Sequence, residues 1–206
     1  MSQQYWDDIF AGKTAESLRY DLWLEPYLEQ LRQDAERPVL DLGCGAGNNA
    51  LYLYERGIPV IACDRSAEAL KRVRERLPKV PVVQLDLLEP LPFGDAHAAA
   101  VVADLSLHYF HWADTVRILQ EIRRVLKPGG WLLCRVNSLR DTEYGAGQGL
   151  ELEPGLYEQD GRLKRFFERE QLEALFGRWH ISLLEECPMP RYDRPKIAWT
   201  AAVQRD

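Results

Sequence analysis

No apolar run in this chain reaches membrane-spanning length. Its polar start, Met1-Ser2-Gln3-Gln4-Tyr5, has no signal-peptide pattern. A cytoplasmic protein with no membrane partner is therefore expected. A surplus of basic residues is also missing. The formal net charge is −6, so no large phosphate-binding footprint, and no nucleic-acid partner, is expected. The basic stretch Lys71 to Lys79 reads as a solvated helix face. The cysteines, Cys44, Cys63, Cys134 and Cys187, form no Cys-x-x-Cys pair. Reduced, mostly buried thiols without zinc are expected. His108 and His111 stand three apart with no cysteine nearby, and no metal is expected. Repeats and low-complexity tracts are absent. A length of 206 residues suits one domain that buries roughly 70% of its unfolded surface.

What the chain does have is the run Val39-Leu40-Asp41-Leu42-Gly43-Cys44-Gly45-Ala46-Gly47-Asn48. An apolar strand enters three alternate glycines, and a helical pattern follows. Glycine lets the backbone turn sharply and a ligand approach closely. The helix N-terminus behind it offers unpaired N–H groups. A nucleotide-type cofactor at the edge of a parallel sheet is the implied ligand. The spacing discriminates among such cofactors. A dinucleotide fingerprint, G-x-G-x-x-G/A, would need its third glycine where Asn48 stands. Here it comes one residue early, at Gly47. A second strand, Ile58 to Cys63, ends at Asp64, which lies 17 residues beyond Gly47. An acid there can accept from both ribose hydroxyls of a nucleoside. Ser66 is the better N-cap for the helical run to Arg76, which leaves Asp64 for the ribose. Arg65 is then placed to lie over the adenine face or in solvent.

Asp41-Leu42-Gly43-Cys44-Gly45-Ala46-Gly47 resembles the first motif of class I S-adenosylmethionine-dependent methyltransferases. The resemblance covers residues 37 to 136 well and is mostly topological beyond them. It implies a cofactor contact set of Asp41, Gly43, Gly45, Gly47, Asn48, Asp64 and Arg65. A third strand, Val80 to Leu85, ends at Asp86-Leu87. By resemblance, Asp86 accepts from the adenine amino group and the Leu87 N–H donates to the ring. A fourth strand, Ala98 to Ala103, ends at Asp104-Leu105-Ser106, which in similar enzymes lies beside the methionine part of the cofactor. A helix from Val116 to Leu126, the stop Lys127-Pro128-Gly129-Gly130 and a fifth strand, Trp131 to Val136, complete this part. Similar enzymes also fold an N-terminal Trp-Asp segment over the cofactor, which makes Tyr5 and Trp6 candidates.

Alternating strands and helices predict an α/β, Rossmann-like fold with helices on both faces. A helix from Glu168 to Phe176 precedes two further strands, His180 to Glu185 and Lys196 to Val203. Their short link favours an antiparallel hairpin. The expected sheet thus has seven mostly parallel strands with the last antiparallel. Residues 1–36, with leucines at 18, 22, 24, 28 and 31, read as a helical cap broken or restarted near Pro26. Residues 37–136 form the core, 137–165 a lid loop and 166–206 a C-terminal helix and hairpin. The loop leaves the sheet edge where open α/β sheets bind ligands. An aromatic-walled acceptor pocket of Tyr5, Trp6, Tyr144 and Tyr157 is expected, with Arg165 neutralising an acidic group.

The expected activity is methyl transfer from S-adenosylmethionine to a small molecule by a monomer or homodimer. The small size is similar to tellurite-resistance and thiopurine-type methyltransferases. A soft nucleophile needs no base; for oxygen or nitrogen the candidates are Asp104, His108 and Tyr109. Two other readings stay open. An NAD(P)-dependent oxidoreductase would share the sheet and the ribose acid, although the glycine spacing and Asp86-Leu87 count against it. A catalytically silent S-adenosylmethionine-binding regulator would form no product.

Overall fold

The computed structural model describes residues 2–12, 20–34, 36–192, 194 and 196–206. The main sheet contains β1 (Val39–Leu42), β2 (Val60–Asp64), β3 (Val82–Gln84), β4 (Ala98–Asp104), β5 (Leu126–Asn137), β9 (Trp179–Met189) and β10 (Lys196–Arg205). Their order is β3-β2-β1-β4-β5-β10-β9. Neighbours from β3 to β5 are parallel, whereas β10 runs antiparallel to both β5 and β9. The seven-stranded sheet with its last strand reversed is the expected one.

Burial on both faces explains the apolar composition of the central strands. Every residue of β1 is buried, as is every residue of β4 before Asp104. On one face α5 (Trp112–Val125) applies the stripe Thr115, Ile118, Leu119, Ile122 and Val125, with Leu172 of α6 (Arg169–Leu175) beside it. The other face is covered by α2 (Leu28–Arg32), α3 (Asn48–Glu55) and α4 (Ala67–Arg76). Ser66 is indeed the cap of α4, its hydroxyl accepting from the Ala69 N–H at 3.1 Å. The Lys127–Gly130 turn is looped out within β5: Ala98 pairs with Leu126, and Ala100 already pairs with Trp131.

The N-terminal region forms α1 (Gln3–Gly12), then a single 3-10 turn with Pro26 at its start, leading into α2. Leu18 lies outside the described residues. The expected lid loop is corrected. Within it, β6 (Leu150–Glu153), β7 (Leu156–Gln159) and β8 (Arg162–Arg165) form an antiparallel three-stranded sheet. The β7–β8 hairpin turns on Asp160-Gly161, both with positive φ, as a tight two-residue hairpin turn requires. The Arg165 N–H donates to the His108 carbonyl at 2.7 Å, and Phe167 N–H to the Asn137 carbonyl at 2.9 Å. These bonds moor the small sheet over the carboxyl ends of β4 and β5.

Candidate functional site

The chain leaves β1 towards β2 on one side, and β4 lies on the other. Open α/β sheets bind ligands outside the strand carboxyl ends at such a switch point. A cavity of about 290 Å³ sits there. Gly43 and Gly45 form its floor, Asp64 and Asp86 stand at the ends of β2 and β3, and Leu87 and Leu105 close the sides.

The glycines have steric reasons. Gly43 has φ +73°, and a Cβ there would lie 2.4 Å from the Ser106 Cβ. Ser106 is fixed by donating to the Leu42 carbonyl at 2.7 Å. No side chain fits at Gly43 without moving Ser106, just beyond the end of β4. Beneath the loop, Asp41 is fully buried, and burial with the neighbouring Asp104 and Asp64 pushes its carboxyl up to about 8. Leu105 holds φ +57°, uncommon for a side chain of this size. Strained backbone of this kind clusters at ligand sites.

Asp64 accepts from the Gly45 N–H and the Ser66 N–H, both at 2.8 Å. Burial raises its carboxyl while these bonds counteract the shift. The carboxylate thus ties the glycine loop to the start of α4 and still faces the cavity. Asp86 lies across the cavity with Arg65, 3.1 Å away. Asn48 opens α3, outside the cavity wall.

Helix α1 roofs the site. Trp6 and Phe10 line the cavity four residues apart on one helix face. Asp7 accepts from the Ser66 hydroxyl at 2.6 Å, clipping α1 to the start of α4. The Trp6–Phe10 spacing was readable in the sequence; the Asp7–Ser66 bond had no sequence signal.

A second cavity of about 420 Å³ adjoins the first and shares Trp6, Tyr109 and Leu163 with it. Tyr5, Tyr144 and Tyr157 are in its walls, so the structure brings the four expected aromatics together. Arg165 is corrected. It is buried and hydrogen-bonds the Glu153 carboxylate and the Pro154 carbonyl, so it staples the small sheet together and faces neither cavity. Arg162 and Lys164, which sequence reasoning passed over, line the second cavity instead.

The base candidates separate as well. Asp104 lies outside both cavity walls. Burial opposes its charge, but Arg135 and Arg191 outweigh that and hold the carboxyl below its usual range. It is a committed ion-pair partner and a weak base. His108 is buried behind Tyr109, and burial, with Lys196 and Lys164 nearby, holds its imidazole neutral. Tyr109 stands where the two cavities meet, its phenol pushed up by burial.

Comparison with known proteins matches residues 39–130 to the methyltransferase domain family. Over these residues the chain is similar to a methyltransferase domain. The chain is 35% identical over 133 residues to an uncharacterized methyltransferase of Synechocystis, covering 65% of this chain and 62% of that protein. It is 36% identical over 138 residues to a trans-aconitate 2-methyltransferase of Azoarcus, covering 64% of this chain and 50% of that one. The chain therefore spans about half to three-fifths of these relatives' length. The fold matches a crystal structure of an S-adenosylmethionine-dependent methyltransferase of Methanosarcina mazei. The TM-score is 0.76 at 20% identity, over 90% of this chain and 99% of the other. Among the described residues, no helix is long and apolar enough to cross a membrane.

Proposed function

We propose that this protein transfers a methyl group from S-adenosylmethionine to a small-molecule acceptor. The observation that carries this reading is the pair of adjoining cavities over the methyltransferase domain, one floored by the glycine loop and one walled by tyrosines. The residues fit the cofactor. Gly43 and Gly45 leave room for it; Asp64 would accept from the ribose hydroxyls and Asp86 from the adenine amino group, and the Leu87 N–H would donate to a ring nitrogen. Trp6 and Phe10 would cover it, and Leu105 would hold its methionine part.

The cofactor supplies an already activated methyl group on a sulfonium. The chain's share is alignment and exclusion of water. Holding acceptor and methyl in line contributes on the order of 7–11 kcal/mol. Helix α1 and the small sheet form the water-excluding cover, with Tyr109 at the junction where acceptor and methyl would meet. With Asp104 ion-paired and His108 buried, Tyr109 is the base candidate that remains at the cavities. Its raised phenol favours acceptors that need no strong base, such as sulfur or an already acidic oxygen or nitrogen.

The trans-aconitate relative supports a small acceptor, and the absence of a basic surplus argues against nucleic acid. The relatives described above do not include a tellurite-resistance or thiopurine enzyme, so the acceptor class rests on the second cavity. The test is mass spectrometry of small-molecule panels incubated with the protein and methyl-labelled S-adenosylmethionine. Label in a small product supports the reading. Tight cofactor binding with no labelled product in any panel would favour a silent regulator.

A further inference from the structure

Strand pairing sets the chemistry of the second cavity. Tyr157 pairs with Lys164 and Gln159 with Arg162 across β7 and β8. Residues paired in this way, and those two apart on one strand, share a sheet face, so all four reach the same wall. The wall's cations are Arg162 and Lys164, and its acid is Asp160.

Lys164 is the informative one. Its half-buried ammonium donates to the Tyr144 carbonyl and stands 5.1 Å from the centre of the Phe166 ring. Neighbouring cations are satisfied: Arg165 pairs with Glu153, and Lys196 with Asp141 at 2.8 Å. Among the described residues, Lys164 has no carboxylate at ion-pair distance. Burial and the nearby Lys196 depress its ammonium to about 8, with Asp141 partly offsetting them. A half-buried cation with no paired carboxylate, in the wall of a cavity of mixed aromatic and polar lining, lacks one counter-ion. Arg162 sits further out, exposed, with its guanidinium 5.0 Å from the centre of the Tyr5 ring.

We propose that the acceptor carries a carboxylate and that Lys164 binds it as its counter-ion, resting on the assignment of the first cavity to S-adenosylmethionine. One half-buried ammonium matches a single negative charge, and a charge-assisted bond in this setting is stronger than a neutral one. A carboxylate bonded to an ammonium is a poor nucleophile. The acidic group is thus an anchor, and the methylated atom lies towards Tyr109, at the junction of the cavities. Lys164 is a specificity-determining residue in this arrangement.

The probes are matched pairs, benzoate against benzamide and trans-cinnamate against cinnamamide, titrated by NMR into protein saturated with S-adenosylhomocysteine. The wild type is expected to bind the acids at least about tenfold more tightly than the amides. Lys164→Met should bring that ratio to about one, and Lys164→Arg should keep most of it. A lysine that merely ties Tyr144 in place would weaken acid and amide alike and leave the ratio unchanged. Equal affinities in the wild type, no binding of either probe at millimolar concentration, or a ratio that survives Lys164→Met overturns the proposal. S-Adenosylhomocysteine affinity is measured first in each protein. Its absence in the wild type contradicts the assignment of the first cavity; its presence without acid preference contradicts the carboxylate anchor alone.

Discussion

Phe10 stands over Gly45, so that a Cβ on the glycine would lie 3.1 Å from the Phe10 ring. Gly45 also has φ +54°, a region that costs an L-residue roughly 1–2 kcal/mol. Gly45→Ala is therefore expected to lift α1 and weaken S-adenosylhomocysteine binding at least about tenfold. Calorimetry reads the affinity, and hydrogen exchange over residues 3–12 reads the roof. Unchanged exchange and affinity would mean that α1 does not cover the ligand.

The Asp7–Ser66 bond should make the roof acid-sensitive. Asp7 is a half-buried carboxylate held below its ordinary value of 3.8, chiefly by the Ser66 hydroxyl. A depressed carboxyl contributes its stabilisation above the unfolded value and loses it as pH falls through the folded one. Trp6 fluorescence should thus stay constant from neutral pH to about 4 and change only below that. Asp7→Ala should give the released signal at neutral pH. A Trp6 signal identical in wild type and variant would contradict the clip.

Asp64 should serve both fold and ligand. It satisfies two backbone N–H groups, so Asp64→Ala is expected to cost about 1–3 kcal/mol of stability. That is more than a pure ligand contact would cost. It should also cost cofactor affinity about 1.5–3 kcal/mol through loss of a charged acceptor. Urea unfolding and calorimetry on the same sample separate the two. Lost stability with full affinity would assign Asp64 to the loop alone.

Asp41 gives the opposite pH dependence. Its carboxyl is raised from 3.8 to about 8, so between these values the folded state holds a proton that the unfolded state has released. Stability from this group is present below the lower value and is lost as pH rises to about 8. Asp41→Asn should flatten that slope and stabilise the ligand-free protein at neutral pH. Urea midpoints across pH 5 to 9 check this, and parallel slopes in wild type and variant would refute it.

Arg135 holds Asp104 through two bonds of 2.8 Å and reaches Asp21 at the same distance. Removing Arg135 takes two of the three arginine bonds from the buried Asp104 carboxylate, leaving it to Arg191 at 3.0 Å, and takes the ion pair from Asp21. Arg135→Met should destabilise by about 3–5 kcal/mol, measured by urea unfolding. A loss below 1 kcal/mol would show that Asp104 is relieved some other way.

Much of this was readable from residue order. The glycine spacing, Asp64 after a buried strand and Ser66 as a cap are local features, and they point to the place where the structure has the first cavity. The C-terminal hairpin followed from the short link alone. The small sheet was missed although Asp160-Gly161 is a strong hairpin signal; its flanking strands are short and charged, and the five glycines between Gly145 and Gly161 resembled a loop. Sequence points to Arg165, one residue from the Lys164 that lines the second cavity, because neighbouring positions cannot be told apart until strand pairing fixes which side chain faces the cavity. The Asp104–Arg135–Asp21 cluster spans distant segments, and no periodicity reports such contacts.

The most direct measurement is calorimetric titration of the purified protein with S-adenosylhomocysteine and, separately, with NAD. A saturable heat with S-adenosylhomocysteine, weakened in Asp64→Ala, and none with NAD is the expected result. Binding of NAD, or no binding of S-adenosylhomocysteine by the folded protein, would contradict the assignment of the first cavity.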